Sequence, residues 1–242
     1  MLEAAFWGFV GGVALLVGAL IGIYVRTSTR VIGLIMAFGS GVLISALAFE
    51  LTNEAYQRGG GTPAIVGLAA GALVFFGGDW LVDRHGGHRR KSPTGHQAGA
   101  GAMALVLGSL LDGIPESIAI GVSLLGGGAV GIAVVVAVFL SNVPESLSAS
   151  AGMLVAGRSR GYILGLWTIV LAVSALSSAL GYGLLGGAPA WLVAGIQTFA
   201  AGAILTMLAD TMMPEAVEHA GRLVGLACVV GFSAAFLLSM AG

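Results

Sequence analysis

Four oxygen-bearing side chains in two neighbouring apolar stretches carry the most chemistry in this sequence. Asp112 and Glu116 lie in LVLGSLLDGIPESIAIG, and Asn142 and Glu145 lie in VVVAVFLSNVPESLSAS. A helix turns about 100° per residue, so the first pair is separated by about 40° and the second by about 60°. Each stretch therefore has one polar face, and its oxygens are suitable ligands for a metal cation.

These acids are expected to be buried in the membrane, so each of them needs a partner for its charge. A carboxylate near the centre of a membrane helix costs about 2.5 to 3.5 kcal/mol on insertion scales, so Asp112, Glu116 and Glu145 must face protein, water or a cation. Pro115 and Pro144 cannot donate a hydrogen bond to the carbonyl one turn earlier, which leaves a backbone acceptor free beside each acid. We interpret the acids as cation ligands. The alternative is that kinks and buried polar groups only join the two helices.

The composition indicates a membrane protein. Of the 242 residues, 57% are hydrophobic and 9% are charged, whereas soluble domains contain about 25% charged residues. The net charge is −1, and no basic cluster is interleaved with aromatic residues, so we expect membrane lipid and not nucleic acid as a partner. The single cysteine, Cys228, excludes an intrachain disulfide.

We predict an all-α polytopic membrane protein in which residues 1–242 form a single transmembrane domain. The predicted eight helices span 4–25, 31–56, 63–82, 99–125, 130–156, 162–185, 191–217 and 222–240. Arg and Lys residues concentrate in the connections after odd-numbered helices. The positive-inside rule therefore predicts that the long polar loop at 83–98 is cytoplasmic, and that both termini lie outside the cytoplasmic (inner) membrane.

An internal repeat is visible within the chain. The segment Phe38 to Ala55, FGSGVLISALAFELTNEA, resembles Phe199 to Ala216, FAAGAILTMLADTMMPEA. These segments fall in the second and seventh predicted helices, which an odd number of crossings separates, so the two copies point in opposite directions. Inverted repeats are typical of secondary transporters, whose binding site lies at the repeat interface.

The chain resembles the ZIP (Zrt/Irt-like) family of divalent metal transporters over essentially its whole length. The family's fourth helix usually reads His-Asn-x-Pro-Glu-Gly, which falls on residues 112–117, and its fifth-helix Pro-Glu pattern falls on residues 141–145. The seventh-helix pattern His-Glu-x-x-Pro-Glu falls on residues 210–215. The resemblance implies eight helices in a 3+2+3 arrangement with inverted repeats, transport toward the cytoplasm, and a homodimer.

This sequence departs from the family pattern at several ligand positions. Asp112 replaces the histidine of the fourth helix, Gly113 replaces its asparagine, and Asn142 stands at the aspartate position of the fifth. We therefore predict one cation, held by Asp112, Glu116, Asn142 and Glu145. Oxygen ligands suit Mn²⁺, Mg²⁺ or Ca²⁺, and carboxylates also bind Fe²⁺ and Zn²⁺. The predicted cargo is a divalent ion of the Zn²⁺, Fe²⁺ or Mn²⁺ class, without an organic cofactor.

Further polar residues are secondary candidates. Ser141 is the first residue of the fifth-helix motif, and Asp210 and Glu50 occupy adjacent positions of the aligned repeat copies. The two acids are candidate relay or exit groups, or else lie in the wet headgroup zone. The histidines of the polar loop either collect metal at its cytoplasmic mouth or belong to a solvated loop; they are His85, His88 and His96.

Two other functions compete with transport. The sequence has no HExxH motif, and its GxSxG match at residues 157–161 lies in the short connection between two predicted helices, without a strand before it. We therefore predict that it is not an enzyme, and an intramembrane hydrolase is the least supported function. A non-transporting metal sensor or membrane scaffold of the same fold remains the main alternative. Metal-dependent flux separates these functions from transport.

Overall fold

The computed structural model describes residues 1–126 and 130–241, and these residues form helices without any strand. This confirms the predicted all-α class. The α-helices of the described residues are α1 (Leu2–Tyr24), α2 (Thr29–Ala46), α3 (Glu54–Gly59), α4 (Gly61–Val82), α5 (Ala102–Ser123), α6 (Val130–Val155), α7 (Arg160–Leu185), α8 (Ala190–Met207), α9 (Met213–Ala220) and α10 (Val224–Ala241).

Seven helical runs among the described residues are long and apolar enough to cross a membrane. They indicate an integral membrane protein. The last run, Ala190–Met240, has 51 residues and would be about 76 Å long if it were straight. The hydrocarbon core of a bilayer is only about 30 Å thick. Gly221, with φ of 59°, lies within this run between α9 and α10.

The ends of these helices follow from local sequence. The Ser28 hydroxyl accepts a hydrogen bond from the Val31 N–H at the start of α2, and Ser159 does the same for Tyr162 at the start of α7. Such caps satisfy N–H groups that have no partner within the helix. Gly60 separates α3 from α4 with φ of 85°, a conformation that glycine adopts without strain.

The two repeat copies have matching helix boundaries. Helices α2 and α8 each contain 18 residues, and each continues directly into a π-helical turn. These turns are Leu47–Asn53 and Leu208–Met212. The same sequence offset relates the starts of the two helices and the starts of the two turns. The π-helical irregularity is therefore a property of the repeat and not of one copy alone. Such π-turns often occur at functional sites.

Helix packing follows the same correspondence. Helix α4 packs on α8 as α10 packs on α2, and α1 packs on α6 as α7 packs on α5. The closest approaches also correspond, since Gly71 lies against the Phe199 carbonyl and Gly231 lies against the Phe38 carbonyl. Small residues at these points allow backbones to touch, as is common between membrane helices.

Helices α5 and α6 occupy the interior of the molecule. Within the apolar windows of the runs that contain them, 67% of residues are buried, against 28% for the run that contains α4. Helices α1 and α7 pack on them, and so do α2 and α8. The polar residues of α5 and α6 are therefore enclosed by other helices.

We expect Gly71→Ala to destabilise the protein because an added Cβ would lie 1.9 Å from the Phe199 carbonyl oxygen. Overpacking of this kind typically costs about 1 to 3 kcal/mol. The matched control is Gly77→Ala on the same helix, where an added Cβ meets no atom within 4 Å. Thermal unfolding in detergent should show a lower midpoint for the first variant only. Equal midpoints would contradict the observed packing of α4 on α8.

Candidate cation site

The structure buries all four predicted ligands near the middle of α5 and α6. Asp112 and Glu116 on α5 are each 1% exposed, and Asn142 and Glu145 on α6 are 4% and 3% exposed. Glu116 interacts electrostatically with Glu145 and Asp112, and its carboxylate lies beside the Asn142 amide. The two helices therefore contribute to one buried polar site.

The Pro-Glu-Ser triplets give both helices the same local geometry. Both Pro115 and Pro144 lie inside continuous helices. The serine that ends each triplet bonds to a carbonyl one turn earlier: Ser117 donates to Gly113 and Ser146 donates to Asn142, each at 2.7 Å. Each serine hydroxyl is thus satisfied within its own helix, and the glutamate between the proline and the serine is buried.

Two basic residues from the connection between α4 and α5 enter this site, which the sequence analysis did not predict. Arg90 is 5% exposed and Lys91 is 2% exposed. Two guanidinium nitrogens of Arg90 donate to Asp112 at 2.8 and 3.1 Å, and a third donates to Asp79 on α4 at 2.6 Å. This fork geometry is the strong form of a charge-assisted hydrogen bond.

Arg90 remains charged in this setting. Burial alone lowers the pKa of a guanidinium, but the negative charges of Asp112 and Asp79 outweigh that effect and raise the Arg90 pKa above its ordinary value. Asp79 pairs with Arg90 and not with Arg84, which is nearer in sequence. Arg84 instead stacks on the Trp80 ring, 3.6 Å from its centroid.

The Lys91 ammonium lies between the two polar helices. Its Nζ atom is 3.3 Å from Asp112 Oδ2 and 3.1 Å from Glu145 Oε2. These contacts are ion pairs that lack hydrogen-bond geometry. Among the described residues, no hydrogen-bond partner is found for Nζ of Lys91, Oε2 of Glu145 or Oε1 of Glu116. The ammonium is therefore held by charge more than by directed bonds.

The charges of the site do not balance. Four carboxylates and two basic groups give a formal charge of −2 when all are ionised; the carboxylates are Asp79, Asp112, Glu116 and Glu145, and the basic groups are Arg90 and Lys91. Uncompensated charge is costly in a low-dielectric interior. The site thus favours additional positive charge.

The backbone of the entering segment is fixed by hydrogen bonds. We call residues 89–97 the basic insert. The Gln97 side chain donates to the carbonyls of Arg90 and Ser92 at 2.8 and 2.7 Å. Ser148 on α6 donates to the Lys91 carbonyl at 2.6 Å. Side chains thus replace the water that a solvated loop would use for these carbonyls.

Glycines on both polar helices make room for the basic insert. An added Cβ at Gly152 of α6 would lie 1.9 Å from the Ser92 carbonyl oxygen. An added Cβ at Gly108 of α5 would lie 2.5 Å from Cδ of Arg90. The insert therefore occupies a groove that any larger residue at these positions would close.

A polar cavity of about 490 Å³ adjoins the basic insert. Arg89 lines it and donates to both carboxylate oxygens of Glu215 on α9, at 2.8 and 3.1 Å. These hydrogen bonds raise the Arg89 pKa above its ordinary value in spite of partial burial. Arg90 and Lys91 also line the cavity, so it reaches the two basic residues that pair with Asp112 and Glu145.

The secondary candidates lie outside the group of four buried ligands. Asp210 is exposed in the second π-turn and lines the polar cavity. Glu50 is half-buried in the first π-turn and accepts a hydrogen bond from Ser239. Ser141 is buried, but its hydroxyl donates to the Val138 carbonyl of its own helix at 2.9 Å. The loop histidines are exposed, namely His85, His88 and His96.

In the described parts of the chain, no three His, Cys, Asp or Glu side chains are grouped so that they could hold one metal ion. The physical reason at the predicted site is that Asp112 is paired with Arg90 and Lys91, and Lys91 also pairs with Glu145. In this conformation Asp112 and Glu145 therefore pair with cationic side chains of the protein itself.

No protein-family model matches this chain, and no protein with a curated description is significantly similar to it.

Proposed function

We propose that the protein transports a divalent transition-metal cation of the Zn²⁺, Fe²⁺ or Mn²⁺ class across the cytoplasmic membrane, toward the cytoplasm. The observation that carries this proposal is the burial of Glu116 and Glu145 at one point between α5 and α6, where an ammonium pairs with Glu145. Ionisable groups at membrane depth usually mark an ion pathway. Two carboxylates from neighbouring helices supply the oxygen ligands that such an ion requires.

We further propose eight crossings in a 3+2+3 arrangement with inverted repeats. The matching offsets of α2 and α8 support it, as does the corresponding packing of α4 on α8 and of α10 on α2. The long last run supports two crossings, because 51 residues exceed one bilayer thickness and Gly221 interrupts it. The loop charges favour both termini outside, and the resemblance to ZIP transporters favours a homodimer.

The resemblance of the Pro-Glu motifs to ZIP transporters supports metal cargo, and the oxygen-only ligand set favours harder ions than zinc. Asp112, Glu116, Asn142 and Glu145 offer carboxylate and amide oxygens without an imidazole. For Mn²⁺, oxygen-only ligands are more suitable than a ligand set that contains histidine. In the observed conformation, Arg90 and Lys91 occupy the carboxylate oxygens of Asp112, which restricts how many ligand oxygens are free.

Asp112→His is therefore expected to shift ion preference toward zinc, because imidazole suits Zn²⁺ and replaces a hard oxygen ligand. We expect the ratio of Zn²⁺ to Mn²⁺ uptake to rise roughly tenfold, equivalent to about 1.4 kcal/mol of differential stabilisation. The control is Asp112→Asn, which removes the same charge and ion pairs but adds no imidazole. A ratio that is the same in both variants would count against Asp112 as a ligand.

A metal sensor or scaffold of the same fold is the second candidate. The ion pairs of Arg90 and Lys91 favour it, because a site with internal cations can be structural. Purified protein in liposomes should be compared with protein-free liposomes for uptake of Mn²⁺, Fe²⁺, Zn²⁺, Co²⁺ and Cd²⁺. Saturable uptake of at least one ion supports transport. Binding without flux supports a sensor, and neither binding nor flux supports a scaffold.

A further inference from the structure

We propose that Lys91 is a tethered counter-ion: its ammonium occupies the cargo position in the cation-free protein, and cargo binding expels the basic insert. This inference rests on the proposed transport function and concerns the regulation of the same site. Residues 89–97 would thereby close the cation site on the side that faces the polar cavity. Without a cation to replace its charge, the insert would leave the site in only a small fraction of molecules.

The first support is the distribution of the ion pairs. Three consecutive basic residues reach different helices, so the insert links elements that any ion path through this region must separate. The pairs are Arg89 with Glu215 on α9, Arg90 with Asp79 on α4 and Asp112 on α5, and Lys91 with Asp112 on α5 and Glu145 on α6.

The second support is that the groove is shaped for the insert. Gly108 and Gly152 leave the space that Arg90 and Ser92 fill. Ser148 holds the carbonyl of Lys91 itself, at 2.6 Å. A solvated loop that only touched these helices would need neither the space nor the hydrogen bond. The burial of the ammonium is therefore built into α5 and α6.

The third support is that an ammonium and a metal ion would use the same oxygen atoms. Lys91 Nζ lies 3.1 Å from Glu145 Oε2 and 3.3 Å from Asp112 Oδ2. A divalent ion binds carboxylate oxygens at about 2.0 to 2.6 Å, so both cations cannot occupy the position together. Because Nζ makes no aligned hydrogen bond, displacing it breaks only its ion pairs with the two carboxylates. A dication attracts the same carboxylates more strongly than an ammonium does.

Competition of this kind sets the apparent affinity for cargo. If only a fraction of molecules has the insert displaced, the apparent dissociation constant is the intrinsic constant divided by that fraction. Replacing Lys91 by a neutral residue should therefore tighten metal binding, whereas an ordinary loss of structure would weaken it. This opposite sign separates a counter-ion from a merely structural lysine.

The test uses a cysteine inside the insert as a reporter of its position. Ser92 is 0% exposed, so Ser92→Cys in a Cys228→Ser background should react slowly with a polar maleimide. Lys91→Met should increase the reaction rate of Cys at position 92 by about tenfold or more, and tighten Mn²⁺ binding by a similar factor. Lys91→Arg, which keeps the charge, should restore slow labelling. Thr94→Cys, at an exposed position of the same insert, should react rapidly throughout.

A second variant displaces the insert without changing any charge. Gly152→Ala places a Cβ against the Ser92 carbonyl, whereas Gly165→Ala on α7 meets no atom within 4 Å. The first should accelerate labelling at position 92 and the second should not. Saturating Mn²⁺, Fe²⁺ or Zn²⁺ should accelerate labelling in the parent reporter, as expected if the ion expels the insert.

The outcomes separate this inference from the transport proposal. Slow labelling in both Lys91→Met and Gly152→Ala, in liposomes that still take up the ion, would overturn the counter-ion role and leave transport intact. Fast labelling in both variants, without uptake of any ion and without an effect of any ion on the parent reporter, would overturn transport and the competition together. Fast labelling combined with tighter Mn²⁺ binding in Lys91→Met supports the inference.

Discussion

Glu145→Gln is expected to lower the initial rate of metal uptake by about 100-fold or more. The change removes a negative charge from a buried ligand that is 3% exposed, and it leaves an amide where the cation requires a carboxylate. Loss of groups that only orient a metal ligand costs about 10 to 100-fold, so loss of a ligand itself should cost at least as much. Uptake by purified protein in liposomes measures the effect.

Glu116→Gln should have an effect of the same size, because Glu116 shares the buried site. The matched control is Glu3→Gln, since Glu3 is exposed on α1, and this variant should keep the parent rate. Uptake above half the parent rate in either buried variant would show that the ion does not pass between α5 and α6.

Arg90→Met is expected to produce the largest loss of stability. It removes the guanidinium that pairs with Asp79 at 2.6 Å and with Asp112 at 2.8 Å, and it leaves both carboxylates buried. Removing one partner of a buried ion pair typically costs about 3 to 5 kcal/mol, because the remaining charge is uncompensated. Thermal unfolding in detergent and the yield of folded protein measure this effect.

Neutralising the partners as well tests the cause of that loss. Adding Asp112→Asn to Arg90→Met should recover part of the lost stability, because it neutralises a buried carboxylate that has lost its guanidinium partner and keeps only the Lys91 ion pair. Arg26→Met is the control, since Arg26 is exposed after α1 and should change the unfolding midpoint little. If Arg90→Met were as stable as Arg26→Met, the buried ion pairs would not be present in the folded protein.

Most of the helical architecture could be predicted because membrane helices need long apolar runs. The predicted range 130–156 corresponds to Val130–Val155, and 162–185 corresponds to Arg160–Leu185. The π-turns were not predicted, since a change from one backbone hydrogen-bond pattern to another leaves no periodic signal in side chains. The aligned repeat nevertheless contained both of them, at Leu47–Asn53 and Leu208–Met212.

The acidic half of the site could be predicted, but its basic half could not. The spacing of Asp112 and Glu116 on one helix face, together with the second Pro-Glu motif, was enough to predict that α5 and α6 share a polar site. Arg90 and Lys91 lie in the polar loop at 83–98, and basic runs are normally solvated. A charge count offered a signal, because none of the predicted helices that contain the buried acids has a basic residue, so these acids require either a bound cation or a partner from a loop.

The most direct measurement of the central claim is a crystal structure with Mn²⁺, in which anomalous scattering locates the ion. We predict a peak between α5 and α6 within about 2.0 to 2.6 Å of carboxylate oxygens from both Glu116 and Glu145, with Lys91 displaced from Glu145. A peak that contacts neither glutamate, with the Lys91 ammonium still paired to Glu145, would contradict a shared cation site.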